Sequence, residues 1–131
     1  MYKTGKNIST FTASVILGLK VGYSETLLTL QQVKEETKKA ASAVEGFTFS
    51  GTINSAEIFA AGPWGQYEEP AVIISTGIYP RFPMEVENFK NQFTAFIGEL
   101  ATNLQQERVA VQFSDESFML ETEYCTEPDI K

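Results

Sequence analysis

The segment Tyr79-Pro80-Arg81-Phe82-Pro83 and the residues after it gather the side chains best suited to holding a ligand. Aromatic rings, a guanidinium and the expected start of a helix fall close together. Backbone N–H groups at a helix N-terminus accept phosphate, and Arg81 or Arg108 offers a bidentate contact to phosphate oxygens. Phe82 is suited to stack on a purine, a contact worth ~1–3 kcal/mol per base. Asn88 and Asn91, a helical turn apart, can read ribose or base edges. A plainer alternative carries at least equal weight, in which Tyr79 and Phe82 fix the chain's entry into the helix. Arg81 and Arg108 are the only arginines, and a surface ion pair is the commoner fate of such a residue.

Groups for catalysis are scarce. Histidine is absent and Cys125 is the single cysteine. Ser-His and Cys-His nucleophile pairs are thereby excluded, as is an internal disulfide. Glu68-Glu69 and Asp115-Glu116 are the visible carboxylate pairs. Adjacent acids read as solvated loop residues, because a carboxylate-only cation site needs several acids converging in space. Gly62-Pro63-Trp64-Gly65 lacks the Lys and Ser/Thr of a phosphate loop, and no nucleophile elbow is present. The expectation is a binding protein and not an enzyme, with no cofactor and no metal.

Seventeen acidic and 10 basic residues give a net charge of −7. That surface repels a phosphate backbone, so neither DNA nor RNA is an expected partner. No apolar run approaches the ~20 residues of a membrane span. The polar start, Met1-Tyr2-Lys3-Thr4-Gly5-Lys6, has no signal-peptide core. A cytoplasmic location follows as an expectation. The 131 residues suit one domain, with 1–8 and 123–131 as tails.

Periodicity supplies the elements that must position these groups. Alternation over 9–21 predicts a strand. Thr29 and Gln32 have capping-box spacing ahead of a helix that Gly46 stops. Residues 47–53 and 56–61 read as two strands separated by a turn at Asn54-Ser55, and 62–69 as a loop. In that loop Trp64 and Tyr67 rank first as core plugs, then as oligomer or ligand contacts. Residues 70–79 are apolar on both sides and read as a central strand. A helix starts near Pro83, with a stripe of Phe89, Phe93, Phe96, Ile97 and Leu100. Strands at 108–113 and 118–121 close the chain around a turn at 114–117. The order β-α-β-β-β-α-β-β predicts an α+β, ferredoxin-like antiparallel sheet with two helices on one face. The open sheet face would carry apolar residues such as Ile73 and Tyr79, which points to a homo-oligomer.

Four stretches add a resemblance. Gly18-Leu19-Lys20-Val21-Gly22-Tyr23, Ile78-Tyr79-Pro80-Arg81-Phe82-Pro83, Gln106-Glu107-Arg108-Val109 and Ser114-Asp115-Glu116-Ser117-Phe118-Met119-Leu120-Glu121 resemble phage proteins of the first Thoeris anti-defence family, over roughly residues 10–122. The resemblance implies a non-catalytic sponge that sequesters a cyclic ADP-ribose isomer and blocks Thoeris immunity. A second site for cyclic oligonucleotides is implied too, although no arginine occurs over residues 22–28, where a further basic contact would be sought. It also implies a homo-oligomer built on dimers, up to a hexamer, with pockets between protomers. Phe82 would stack on the ligand, Asn91 or Asn88 would contact it, and Arg108 would hold phosphate. Two other readings stand beside it: a structural or regulatory subunit acting through the open sheet face, and a small metal-dependent hydrolase using Asp115 and Glu116.

Overall fold

The computed structural model describes residues 2–5, 7–21, 25–80 and 83–125. Arg81 and Phe82 lie outside the described residues, as does the end of the chain from residue 126. The elements run β1 (Thr12–Gly18), α1 (Leu30–Ala43), β2 (Gly51–Gly62), β3 (Gly65–Gly77), α2 (Val86–Asn103), β4 (Arg108–Phe113) and β5 (Ser117–Glu121). All four strand pairings are antiparallel, in the order β2-β3-β1-β4-β5. The first four strands have the ferredoxin-like order, with β3 inserted between β1 and β2. β5 is added beyond β4. The α+β architecture expected from the sequence is therefore present. Among the described residues no helix is long and apolar enough to cross a membrane.

Strand register explains which face the helices cover. Val15 lies opposite Ile74 on one side and Val111 on the other. Side chains alternate across a strand, so Ala13, Val15, Leu17, Val72, Ile74, Val109, Val111 and Phe113 share one face, and all are buried. Val33 and Ala40 of α1 and Phe93, Phe96, Ile97 and Leu100 of α2 pack on them. Phe93 touches Phe89, Phe96 and Phe113 with ring centroids about 6 Å apart. Full burial of one such side chain contributes about 1.5–3 kcal/mol, so the phenylalanines of α2 fix that helix to the sheet.

The helix ends have local causes. Thr29 caps α1: its hydroxyl accepts from the Gln32 backbone N–H at 3.1 Å, and Gln32 accepts in return from the Thr29 N–H at 2.7 Å. The second helix begins at Val86, three residues later than expected, with Glu85 as its cap residue and no side-chain cap bond. It ends on Leu104. The Gln105 N–H bonds to Thr102 and the Gln106 N–H to Ala101, which is the paired bonding of a Schellman stop. Gln105 fills the left-handed position with φ 55°, a place where glycine is the usual residue.

Three local expectations need correction. Residues 51–62 form a single strand, not two strands around Asn54-Ser55. Asn54 and Ser55 stay in register opposite Ile73 and Val72, because continuous pairing with β3 outweighs their turn preference. The expected loop at 62–69 is a two-residue turn, Pro63-Trp64, between paired Gly62 and Gly65, followed directly by strand. Gly65, at φ 124°, supplies the backbone geometry that turn requires. Trp64 is 68% exposed, so it is not a core plug.

Candidate functional site

Making 65–77 a strand changes the meaning of Glu68-Glu69. Neighbouring strand residues point to opposite faces, so the two acids separate. Glu68 is exposed, whereas Glu69 is 9% exposed. The Glu69 side chain folds over β1 at Gly18, where a Cβ would overlap its carboxylate. Glycine is needed here for close approach and not for an unusual φ.

A buried carboxylate is costly unless hydrogen-bonded. The Tyr67 hydroxyl donates to Glu69 Oε1 at 2.8 Å. The Lys20 backbone N–H donates to Oε2 at 3.0 Å. Tyr67 and Glu69 are two apart on β3 and so share the open face. The Lys20 ammonium sits 5.3 Å from the centre of the Tyr67 ring, within cation–π range. Gln106, only 6% exposed, donates from Nε2 to the Lys20 carbonyl at 3.0 Å. The Thr122 hydroxyl in turn donates to the Gln106 carbonyl.

Of these groups Glu69 and Gln106 border a cavity of about 330 Å³ on the open face, near the lower end of ligand-pocket sizes, ~300–1,000 Å³. Ile16, Ile58 and Met119 supply apolar lining, and Glu69, Gln106, Glu107 and Arg108 the polar groups. Arg108 Nε lies 3.7 Å from Glu121 Oε1. With Glu69 and Glu107 on its wall and Arg108 ion-paired to an acid, the cavity suits a ligand that carries positive charge.

Three other expected site residues that the structure describes, Tyr79, Asn88 and Asn91, fall elsewhere, and Arg81 and Phe82 lie outside the described residues. Tyr79 is at the other end of β3, beside a second cavity of about 330 Å³ with Phe47, Met84, Phe89 and Gln92. Its hydroxyl donates to the Ser50 carbonyl at 2.8 Å. Asn88 and Asn91 are exposed on α2 and line neither cavity. Among the described residues that the sequence singled out for ligand binding, only Arg108 joins the Glu69 cavity. Asp115 and Glu116 do not form a cation site. Both hold the Lys90 ammonium, at 2.9 and 3.4 Å. Among the described residues no group of three or more His, Cys, Asp or Glu could hold a metal ion.

From the sequence Glu69 reads as a solvated loop acid and Tyr67 as a ligand contact only after a core plug or an oligomer contact, while Gln106 and Glu107 receive no site role. No apolar–polar alternation over residues 65–77 marks Glu69, and the breakers Gly62, Pro63 and Gly65 conceal the strand that carries it.

No family model matches the sequence, and no curated protein matches it. Two solved structures share its fold. A phage SAM lyase in complex with S-methyl-5'-thioadenosine superposes with a TM-score of 0.74 at 18% identity, covering 94% of this chain and 96% of that one. A phage SAM lyase in the apo state gives 0.73 at 20% identity, covering 92% and 98%. At this identity the likeness shows the fold.

This likeness overturns the expectations of a non-catalytic protein, of a cyclic ADP-ribose or cyclic oligonucleotide ligand, and of a Thoeris sponge. The structural neighbours are a lyase, which is an enzyme, and one holds S-methyl-5'-thioadenosine. A purely structural or regulatory subunit finds no support there either. The step from absent histidine to absent catalysis was at fault. Catalysis by positioning and by a preorganised electrostatic environment needs no titrating base.

Proposed function

We propose that this protein is a SAM lyase that releases S-methyl-5'-thioadenosine, with the reaction at the Glu69 cavity. One observation carries the proposal: a buried, doubly hydrogen-bonded carboxylate on the wall of a ligand-sized cavity, in a fold shared with phage SAM lyase. The substrate is present in the cytoplasm, and the protein would act there.

The chemistry suits a chain with few catalytic groups. Release of S-methyl-5'-thioadenosine breaks the bond between the sulfonium sulfur and Cγ of the amino-acid arm. The bonding electron pair goes to sulfur, which becomes a neutral thioether. The arm's own carboxylate oxygen forms the new bond to Cγ and closes homoserine lactone. No water, proton or other atom is added. The negative charge of the nucleophile and the positive charge of sulfur cancel in this step. Apolar walls such as Ile16, Ile58 and Met119 favour it by removing water from both charges.

The same charge argument locates Glu69. A carboxylate placed against the sulfonium would stabilise the starting state more than the transition state, and so slow the reaction. The arm's ammonium keeps its charge throughout. Glu69 holds that ammonium and thereby turns the substrate carboxylate toward the back of the Cγ–S bond, a positioning effect.

The test is incubation with SAM and mass spectrometry of the products. The expected products are S-methyl-5'-thioadenosine and homoserine lactone, with no ¹⁸O from labelled water in freshly formed lactone. Glu69→Gln should lower the rate roughly 100-fold, the scale of a misplaced reacting group, and leave the fold intact. Absence of S-methyl-5'-thioadenosine would overturn the reading, as would full activity in Glu69→Gln.

A further inference from the structure

Two hydrogen bonds connect Gln106 to the Glu69 carboxylate through one peptide unit on each side of Lys20. Gln106 Nε2 donates to the Lys20 carbonyl at 3.0 Å, and the Lys20 N–H donates to Glu69 Oε2 at 3.0 Å. Gln106 is itself held at several points. Its side-chain amide also reaches the Leu104 carbonyl at 3.4 Å. Its backbone N–H closes the end of α2 on Ala101, and its carbonyl accepts from Thr122. Only 6% of the residue is exposed.

That burial is informative. A long polar side chain loses rotamer freedom and hydration when it is buried, and an apolar residue of the same length would fill the space without the loss of hydration. The amide instead reaches across from the start of β4 to the residue that follows β1 by two positions. Lys20 lies beyond the end of β1 proper and bridges to Leu27, and the neighbouring Leu19 N–H bonds to the Pro70 carbonyl at 2.9 Å. The amide adds a further hold, on the carbonyl side of Lys20, to the orientation of its N–H toward Glu69.

We infer that Gln106 is a positioning residue for Glu69, acting through Lys20 and setting affinity for the charged amino-acid arm of the substrate. The inference rests on the lyase reading. Its signature is selectivity between ligands. SAM carries the ammonium that Glu69 would hold, and S-methyl-5'-thioadenosine does not. A merely structural role would weaken both.

The experiment compares wild type with Gln106→Met for KM and kcat on SAM and for the dissociation constant of S-methyl-5'-thioadenosine. The expected result is a three- to tenfold loss in kcat/KM, the scale of one hydrogen bond, with unchanged affinity for the thioadenosine. In Glu69→Gln the further change Gln106→Met should have little added effect, since residues acting through one another are not additive. Thr122→Val loosens the same network from a more exposed position and serves if Gln106→Met does not fold. It should give a smaller loss with the same ligand selectivity. Equal weakening toward both ligands, or full additivity with Glu69→Gln, overturns the inference and leaves the lyase reading standing. Failure of the wild type to release S-methyl-5'-thioadenosine overturns the lyase reading and this inference with it.

Discussion

Gly18 and Glu69 occupy one space. The carboxylate of Glu69 lies over the Cα of Gly18, where any side chain on β1 would overlap it. Gly18→Ala therefore tests where Glu69 sits without changing Glu69 itself. The group in the way is the far end of a flexible side chain, so the sheet need not move. The carboxylate would swing out and lose its bonds from Tyr67 and Lys20. Each bond to a charged group contributes about 1.5–3 kcal/mol, offset because the carboxylate regains its hydration when it swings out and because alanine restricts the unfolded chain. The expected outcome is a native circular-dichroism spectrum, a melting temperature within a few degrees of wild type, and the proposed SAM cleavage reduced at least about tenfold. Undiminished cleavage would show that the position of the carboxylate does not matter.

Much of the frame was legible because it is written locally. Thr29 and Gln32 stand at capping-box spacing and cap α1 as expected. The residues 108–113 alternate and form β4 at those bounds. The site was not legible, because pairing assembles it from three distant stretches, around Gly18-Leu19-Lys20, Tyr67-Glu68-Glu69 and Gln106-Glu107-Arg108. Gly18 faces Ala71 only in the β1–β3 register, and nothing near residue 18 announces residue 69. Asn54-Ser55 and Gly62-Pro63 misled in the same way. Their local turn preference is real, and twelve paired residues in β2 overrule it at one place and compress it to a two-residue turn at the other.

Alkaline pH should uncover a staple between α2 and the β4–β5 turn. Lys90, with its side chain 13% exposed, donates to Asp115 at 2.9 Å and lies 3.4 Å from Glu116. Its ammonium is also 5.5–5.7 Å from the Phe113 and Phe11 ring centres. The Asp115 hydrogen bond, helped by the charges of both acids and opposed by burial, raises the Lys90 pKa. A pKa raised on folding means that the charged form is favoured in the folded state. The stabilisation is complete below the unfolded value, about 10.4, and fades as pH rises through the higher folded value. Lys90→Met should be less stable than wild type at pH 7, and the gap should narrow above about pH 10.4. Chemical denaturation at pH 7, 9, 10 and 11 reads it. A gap that does not change with pH would mean that Lys90 contributes packing and no charge interaction.

Gln105 holds a backbone conformation that its own side chain disfavours, one residue before the amide that reaches Lys20. Its φ of 55° is the left-handed position of the Schellman stop, and the turn it makes directs Gln106, Glu107 and Arg108 to the cavity. A non-glycine residue in that region loses about 1–2 kcal/mol through crowding of its Cβ against the following carbonyl. Glycine removes the crowding but gives the unfolded chain more freedom, which returns about 0.4–1 kcal/mol of the gain. The Gln105 side chain is exposed, so little packing is lost with it. Gln105→Gly should stabilise the protein by about 0.5–1 kcal/mol and raise the melting temperature by a few degrees. The proposed SAM cleavage should persist, because both bonds of the stop are made by backbone groups. A lower melting temperature would show that the Gln105 side chain contributes more than its exposed position implies. Loss of cleavage at unchanged stability would show that the stiffness of this turn, and not only its shape, holds Gln106 in place.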